Sequence, residues 1–216
     1  MHDANTPEKW IFSGGVALYV AFVFWEIRAI AYLESRKVRK RCHFLLKRIA
    51  EGEGPLSSIP CLRITVFMPD RQDGEPDLVP LVRYQREAPH DYSVKTRVRW
   101  RTDSSKNIKE AWHNPKQLQS FTIDRSKVKH KDGFRGIFQA EFGLTERDAK
   151  RLSDHTLMEV QTIADIAIKV PYSPNPVALV SFSSTAPQAF AGLSKDAVGE
   201  LAAYLEMLAA MLAPAD

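Results

Sequence analysis

Two apolar segments around a proline-rich turn decide the fold. Residues 164–170 read Ala-Asp-Ile-Ala-Ile-Lys-Val, residues 171–176 read Pro-Tyr-Ser-Pro-Asn-Pro, and residues 177–182 read Val-Ala-Leu-Val-Ser-Phe. Proline, serine and asparagine favour a turn, and short apolar runs on both sides of a turn predict strands. This stretch therefore predicts an antiparallel hairpin in the C-terminal half of the chain.

A second hairpin is predicted nearer the N-terminus. Residues 61–68 are rich in β-branched side chains, residues 69–77 are rich in turn formers, and residues 78–86 form a second apolar run. Residues 94–100 alternate apolar and basic side chains, which predicts a half-exposed strand. A short strand is expected over residues 121–123.

Helices are predicted at both ends of this set of strands, over residues 33–51 and 193–212. A short helix is expected over residues 108–112, and a helix capped by Thr145 is expected over residues 144–152. The rest of the middle of the chain is expected to be irregular. Terminal helices flanking a mainly antiparallel sheet predict an α+β fold.

The N-terminal region carries a different signal, because residues 10–25 contain no charged side chain. Trp10 and Trp25 stand at its ends, where aromatic rings favour a membrane–water boundary. Sixteen helical residues span about 24 Å, somewhat short of a ~30 Å hydrocarbon core. Extension of the span to Leu33 passes Glu26 and Arg28, which must then lie at the boundary. We predict a transmembrane helix over residues 10–33 after a short extracytoplasmic tail, residues 1–9.

Two other interpretations of this segment remain open. It could be a buried core helix, or a signal peptide cleaved near Ala29-Ile30-Ala31. The preceding tail carries Asp3 and Glu8 against Lys9, whereas secretory leaders begin with basic residues. The charge of the tail therefore favours an uncleaved anchor.

The charges that follow the span predict its orientation. Between residues 28 and 48 there are eight Lys or Arg against one acid, Glu34, and only Lys9 precedes the span. The positive-inside rule then places the C-terminal bulk in the cytoplasm of a single-pass protein of the inner (plasma) membrane. The cations of a basic juxtamembrane helix, residues 34–54, should contact anionic lipid headgroups at about 1 kcal/mol each. The expected membrane-interface residues are Trp10, Trp25, Arg28, Arg36, Lys37, Arg39, Lys40 and Arg41.

Composition predicts one globular cytoplasmic domain over residues 55–216, since hydrophobic residues make up 44% of the chain. Cys42 and Cys61, the only two cysteines, make no disulfide framework or zinc motif, and the six histidines are scattered. No recognition module accompanies the basic cluster, so nucleic acid is not an expected partner. We expect no catalytic residue, no metal ligand and no cofactor.

The order of these segments resembles a GAF domain over roughly residues 33–212. Residues 166–171 and 176–184 are similar to the family's paired strands, in which an apolar strand ends in Pro. Residues 185–190 resemble the link into its last helix, and residues 63–70 and 78–84 resemble its first two strands. The resemblance implies a sensory or regulatory signalling module that binds a small ligand or a protein partner, rather than an enzyme.

The chain departs from the family at the turn that shapes the ligand pocket. Ala111-Trp112 matches an Ala-Trp pair, but Lys106 and Lys109 stand where the family has glycines. A rival placement of that turn is Gly133-Phe134-Arg135-Gly136. The Asn-Lys-x-Asp motif of cyclic-nucleotide-binding members is not recognisable. The ligand is therefore not identified by the motifs.

Aromatic side chains are the candidate ligand-binding residues, although such positions are also typical of plain core. They are Trp100, Trp112, Phe134 and Phe138.

The family commonly dimerises through its first and last helices, which implies a homodimer whose interface is a leucine stripe. Alternatively, this stripe covers the sheet of one monomer. The stripe is Leu201, Leu205, Leu208 and Leu212, with Leu33, Leu45 and Ile49 opposite. A ligand-independent membrane scaffold and an unrecognised enzyme remain alternative functions.

Overall fold

The computed structural model describes residues 34–70, 77–87, 100–101, 106–115, 117–128, 130–152, 156, 159–171, 173–193 and 195–213. Contacts divide the chain after Val38 into two units, Met1–Val38 and Arg39–Asp216. The sheet belongs to the second unit, as do the helices that cover it, apart from residues 34–38 of the first described helix. No helix within the described ranges has the length and apolarity needed to cross a bilayer. The span predicted over residues 10–33, with Trp10, Trp25 and Arg28, lies outside them.

The first described helix, α1, comprises residues 34–51 and agrees with the helix predicted over residues 33–51. Cys42, Leu46 and Ile49 are buried on one side of it, as the amphipathic pattern requires. The Gly52 N–H donates to the Arg48 carbonyl oxygen at 2.9 Å, which completes the last turn before the chain leaves the helix.

Six strands form one antiparallel sheet within the described residues. Its order is β3-β2-β1-β6-β5-β4, so β1 and β6 join the two predicted hairpins. The strand predicted over residues 94–100 is described only at Trp100, which pairs with Leu78. The strands are β1 (Arg63–Asp70), β2 (Asp77–Gln85), β3 (Trp100–Arg101), β4 (Gln119–Thr122), β5 (Thr162–Ile168) and β6 (Ala178–Ser184).

Successive side chains alternate between the two faces of the sheet. We call the face that carries Arg63, Thr65 and Phe67 of β1 the Arg63 face, and the opposite face, which carries Ile64 of β1 and Tyr84 of β2, the Tyr84 face. The β1–β2 register shifts between Val66, which pairs with Val82, and Phe67, which pairs with Pro80. A bulge at this point accommodates Pro80, because proline has no N–H to donate to a regular ladder.

The helices of the middle of the chain cover the Arg63 face. They are α2 (Lys106–His113), α3 (Lys131–Phe142) and α4 (Glu146–Ala149). Helices α2 and α4 were expected, and the Thr145 side chain caps α4 by accepting from the Asp148 N–H at 3.1 Å. The cluster that these helices build with the sheet is Phe67, Leu78, Trp100, Ile108, Ala111, Trp112, Ile123, Phe134, Phe138, Phe142, Leu144, Ala149, Val160, Ile163, Ala167 and Leu179.

Helix α3 corrects the expectation of an irregular middle. Phe134, Phe138 and Phe142 recur every fourth residue and are all buried, which gives the helix one strongly apolar stripe. Gly143 ends the helix in the left-handed conformation, at φ 60°. Gly133 and Gly136 lie inside α3, so the rival placement of the family's glycine turn is wrong.

Helix α5 (Lys195–Leu212) and α1 cover the Tyr84 face. The Tyr84 hydroxyl donates to Glu51 Oε1 at 2.8 Å, which fixes the end of α1 to β2. The predicted leucine stripe of α5 is buried by its own domain: Leu201, Leu205, Leu208 and Leu212. Leu45 and Ile49 of α1 are likewise buried, whereas Leu33 lies outside the described residues. The stripe therefore covers the sheet of one chain and does not present these side chains to a second copy.

Candidate functional site

Polar side chains share the Arg63 face with the aromatic core. The register places Arg63 opposite Ser183 and Thr65 opposite Ser181, on the central strands β1 and β6. All four side chains are buried, although strand positions with this polar alternation usually face water. The local sequence therefore builds a hydroxyl-rich patch beside the phenylalanines of the core.

Arg63 is the charged centre of this patch. Its residue surface is 7% exposed; Nε donates to Ser183 Oγ at 3.1 Å and Nη1 donates to Thr156 Oγ1 at 3.0 Å. Within the described residues no carboxylate lies within ion-pair distance of this guanidinium. Burial and, to a smaller extent, the nearby Arg83 guanidinium lower the pKa of Arg63 to about 9, and Glu87 partly opposes both effects. At neutral pH the site therefore holds a buried cation that has no acid of the described residues within ion-pair distance.

Arg83 of β2 supplies a second guanidinium at the same patch. It is half-buried, and its Nε donates to Thr65 Oγ1 at 3.3 Å. Two like charges on neighbouring strands repel each other, which agrees with the effect of Arg83 on the pKa of Arg63. The positive potential of this part of the Arg63 face is therefore raised by two side chains.

A cavity of about 50 Å³ opens at this patch, and we call it the arginine cavity. Its polar side carries Arg63, Arg83 and the hydroxyls of Thr65, Thr156, Ser181 and Ser183. Its apolar side carries Phe67, Pro80, Trp100, Phe138, Leu152 and Ile163. The ring centroids of Phe67 and Trp100 are 4.3 Å apart, so the apolar side is held by aromatic packing.

The four aromatic candidates divide between this cavity and the core. Trp100 and Phe138 line the arginine cavity. Trp112 and Phe134 are buried in the same apolar cluster but do not belong to the cavity lining, and Phe134 instead carries the Arg125 guanidinium 4.5 Å above its ring. A ligand-binding role for the four remains a prediction.

The polar half of the cavity was missed by sequence analysis. Arg63 and Thr65 alternate with apolar residues on one predicted strand, as do Ser181 and Ser183 on another. This pattern ordinarily indicates a solvated face. A basic residue in an otherwise nearly apolar strand was the one signal that could have drawn attention to Arg63.

Asp165 is a second buried ionisable group on the Arg63 face, where it pairs across the ladder with Ser181. It is 1% exposed, and its Oδ1 atom has no hydrogen-bond partner. Burial raises the pKa of Asp165 to about 7, and a hydrogen bond from the Ser181 hydroxyl opposes this rise. Near neutral pH this carboxyl therefore exists as a mixture of protonated and ionised forms.

Five of the predicted lipid-contacting cations lie on α1, at residues 36–41. Arg36, Lys37, Lys40 and Arg41 are exposed and Arg39 is half-buried. Lys37 Nζ forms an ion pair with Glu34 Oε1 at 2.6 Å. Contact of these side chains with lipid remains a prediction.

Cys42 of α1 and Cys61, which precedes β1, are free thiols. No cluster of three His, Cys, Asp or Glu suited to a metal ion occurs among the described residues. Cys42 is buried in α1, and burial raises its pKa to about 11. At neutral pH this thiol is protonated, and a protonated thiol is a poor nucleophile.

No protein family model and no curated protein matches the chain. The crystal structure of a GAF domain region from Geobacter sulfurreducens matches with a TM-score of 0.50 and 14% identity, covering 84% of this chain and 96% of that one. A GAF domain/HD domain protein from the same organism matches at 0.43 and 11% identity, covering 79% and 91%. A type II free methionine-R-sulfoxide reductase from Thermoplasma acidophilum matches at 0.46 and 9% identity, covering 83% and 94%.

The match to the Geobacter sulfurreducens GAF domain region bears on the fold, because the alignment covers 96% of that region. In this chain the terminal helices lie on the Tyr84 face of the antiparallel sheet and the middle helices on the Arg63 face. The chain has a GAF-like α+β fold, with an antiparallel sheet flanked by helices.

Proposed function

We propose that the chain is a membrane-anchored sensory or regulatory module whose GAF-like domain binds a small ligand in the arginine cavity. The observation that supports this proposal is the buried Arg63, which lines a cavity and lacks an acidic partner among the described residues. A buried charge without a partner destabilises a fold by several kcal/mol. A cavity with a few convergent polar groups and an apolar wall is typical of small-ligand sites.

Filling the cavity tests this function. Leu152 lines the arginine cavity and is half-buried, so Leu152→Trp should occupy space that a ligand needs. We expect native mass spectrometry of the full chain, purified in detergent from its host, to show a small molecule bound to wild type and lost from Leu152→Trp. The matched control is Met207→Trp on exposed α5 surface, which should keep the ligand.

Circular dichroism must show both variants folded for this comparison to hold. If the wild-type protein has no bound molecule and is stabilised by none of the charged or neutral small molecules added to it, the sensory proposal fails. Retention of the same molecule by folded Leu152→Trp would also contradict the placement of the ligand in this cavity.

Anchoring in the membrane is the second part of the proposal and rests on the charge asymmetry around residues 10–33. A reporter enzyme that is active only outside the cytoplasm, fused after Asp216, should give no activity. The same reporter fused ahead of Met1 should be active. Activity of the C-terminal fusion would reverse the orientation, and release of the intact chain by alkaline carbonate would contradict the anchor.

A protein partner is the alternative that a specific observation favours. Phe44, Tyr204 and Met207 are large apolar side chains exposed on α1 and α5. A groove lined by Arg48, Glu200 and Tyr204, among others, lies where the two helices meet. We propose that a homodimer or a membrane or cytoplasmic signalling partner would use these exposed side chains, since the leucine stripe is already covered.

The proposal contains no catalytic step. The two cysteines lie outside the arginine cavity lining, and the cavity combines arginines with hydroxyls but no described carboxylate or imidazole. A nucleophile needs an adjacent base to be activated, and none is described there. Turnover of a substrate that is abolished by changing a single His or acid would contradict this part of the proposal.

A further inference from the structure

We infer that the arginine cavity binds a small organic carboxylate, with the carboxylate oxygens on Arg63 and the apolar part of the acid against Phe67 and Trp100. This inference rests on the proposed function, because it names the ligand class of the same cavity. It is carried by three features of the site: an uncompensated charge, an opposed apolar wall and a small volume.

The charge argument begins with the donors of Arg63. A guanidinium has five N–H donors. Two of those of Arg63 go to Ser183 and Thr156, whose hydroxyls are neutral and leave the positive charge in place. Asp165, on the same face, forms no ion pair with Arg63. An anion would therefore find unused donors and a positive potential that Arg83 increases.

The Ser183 and Thr156 contacts also orient the donors. The guanidinium is planar and its N–H groups form a rigid fork that matches the two oxygens of a carboxylate. Because Nε and Nη1 are hydrogen-bonded to the hydroxyls of Ser183 and Thr156, the plane is fixed before a ligand arrives. A preorganised fork loses less entropy on binding than a mobile surface arginine.

The opposite wall favours an organic acid over inorganic phosphate. Phe67, Trp100 and Phe138 line it, and aromatic side chains gain free energy by covering apolar groups. Inorganic phosphate has no apolar part and would leave this wall uncovered. A carboxylate joined to a short hydrocarbon chain satisfies both sides of the cavity.

The volume limits the length of that chain. A water molecule requires roughly 10–15 Å³ of comparable volume, so the cavity of about 50 Å³ has room for a small molecule only. The carboxylate group takes up part of this space, so the hydrocarbon chain of the acid must be short. Propionate and butyrate are therefore suitable probes, and propionamide is a neutral probe of nearly the same shape.

The test compares probes and variants of the full-length protein in detergent. We expect propionate and butyrate to raise the thermal unfolding midpoint at constant ionic strength, and propionamide and inorganic phosphate to leave it nearly unchanged. Arg63→Met removes the charge but keeps an unbranched apolar side chain, and we expect it to weaken propionate binding about ten- to hundredfold. Arg147→Gln, a control at an exposed arginine, should bind propionate like wild type.

Arg63→Met also separates a ligand role from a structural one. Because the variant removes a buried charge that has no described acidic partner, its unfolding midpoint without ligand should be no lower than that of wild type. Arg83→Gln provides a second variant, and we expect it to weaken propionate binding less than Arg63→Met because Arg83 is only half-buried.

Each outcome decides the inference. Equal stabilisation by propionate and propionamide, unaffected by Arg63→Met, would overturn the carboxylate assignment and leave the small-ligand function intact. A response to phosphate alone would also overturn it. If no probe of either charge binds and wild type carries no molecule in native mass spectrometry, both the inference and the proposed function fail.

Discussion

Leu208→Glu should unfold the domain, whereas Met207→Glu one residue earlier should leave it folded. Leu208 is 0% exposed in α5 and Met207 is 57% exposed. The first change removes buried apolar packing and places a carboxylate in the core, at a cost of about 4 kcal/mol or more. Because whole domains have a free energy of unfolding of only about 5–15 kcal/mol, little folded protein should remain. Urea unfolding of the full chain, followed by the fluorescence of buried tryptophans, measures the difference.

The same pair of variants examines the homodimer. If two copies meet through the exposed side chains of α5, Met207→Glu should convert a dimer into a monomer in light scattering without lowering the unfolding midpoint. A dimer that survives this change must use another surface. Equal stability of Leu208→Glu and wild type would show that the leucine stripe does not cover the sheet, contrary to the fold described above.

As the pH rises, the Asp165→Asn variant should change from less stable to more stable than wild type, as measured by the free energy of unfolding. The pKa of this carboxyl rises from 3.8 to about 7 because it is buried. Between these values the folded state holds a proton that the unfolded state has released, so the free energy of unfolding of wild type falls as the pH increases through this window. Full ionisation of Asp165 then costs the folded protein up to about 4 kcal/mol.

The asparagine variant does not titrate. Near about pH 5 the variant should be less stable than wild type. Its amide N–H₂ takes the place of Asp165 Oδ1, which has no hydrogen-bond partner, so the N–H groups of the amide are left without acceptors. Near about pH 8.5 it should be more stable than wild type, because no charge is buried. Urea unfolding of both proteins across this range should give two curves that cross.

Asp132→Asn is the matched control for this experiment. The Asp132 side chain is 90% exposed, although it forms an ion pair with Arg135 at 2.5 Å. An exposed pair of this kind contributes little to stability, so the control should follow wild type at every pH. Parallel curves for Asp165→Asn and wild type would contradict the raised pKa of Asp165.

The strands of both hairpins could be predicted because the signals for a hairpin are local. Turn formers over residues 171–176 and 69–77 stand between apolar runs, and the structure has strands on both sides of each. Helix α3 could not be predicted in this way. Its glycines at 133 and 136 lower helix propensity, and its stability comes from three phenylalanines packed against a sheet that is distant in sequence.

Arg63 illustrates why the candidate site was only half predicted. Periodicity shows that Arg63 and Thr65 share a face, but it does not show whether water or a helix covers that face. The leucine stripe of α5 presents the same ambiguity, since an amphipathic helix must be covered by something and the pattern does not say by which chain. Tertiary packing decides both cases, and it has no signature in a short window of sequence.

The pairing of β1 with β6 has a consequence for how the chain matures during synthesis. Arg63 and Ser183, which meet across this ladder, are 120 residues apart. The first hairpin can form as soon as β2 has left the ribosome, but the second edge of β1 has no neighbour until β6 follows. Closing so long a loop is slow, and an unpaired edge is prone to aggregation meanwhile. The nascent domain therefore depends on β6 to join the two halves of the sheet.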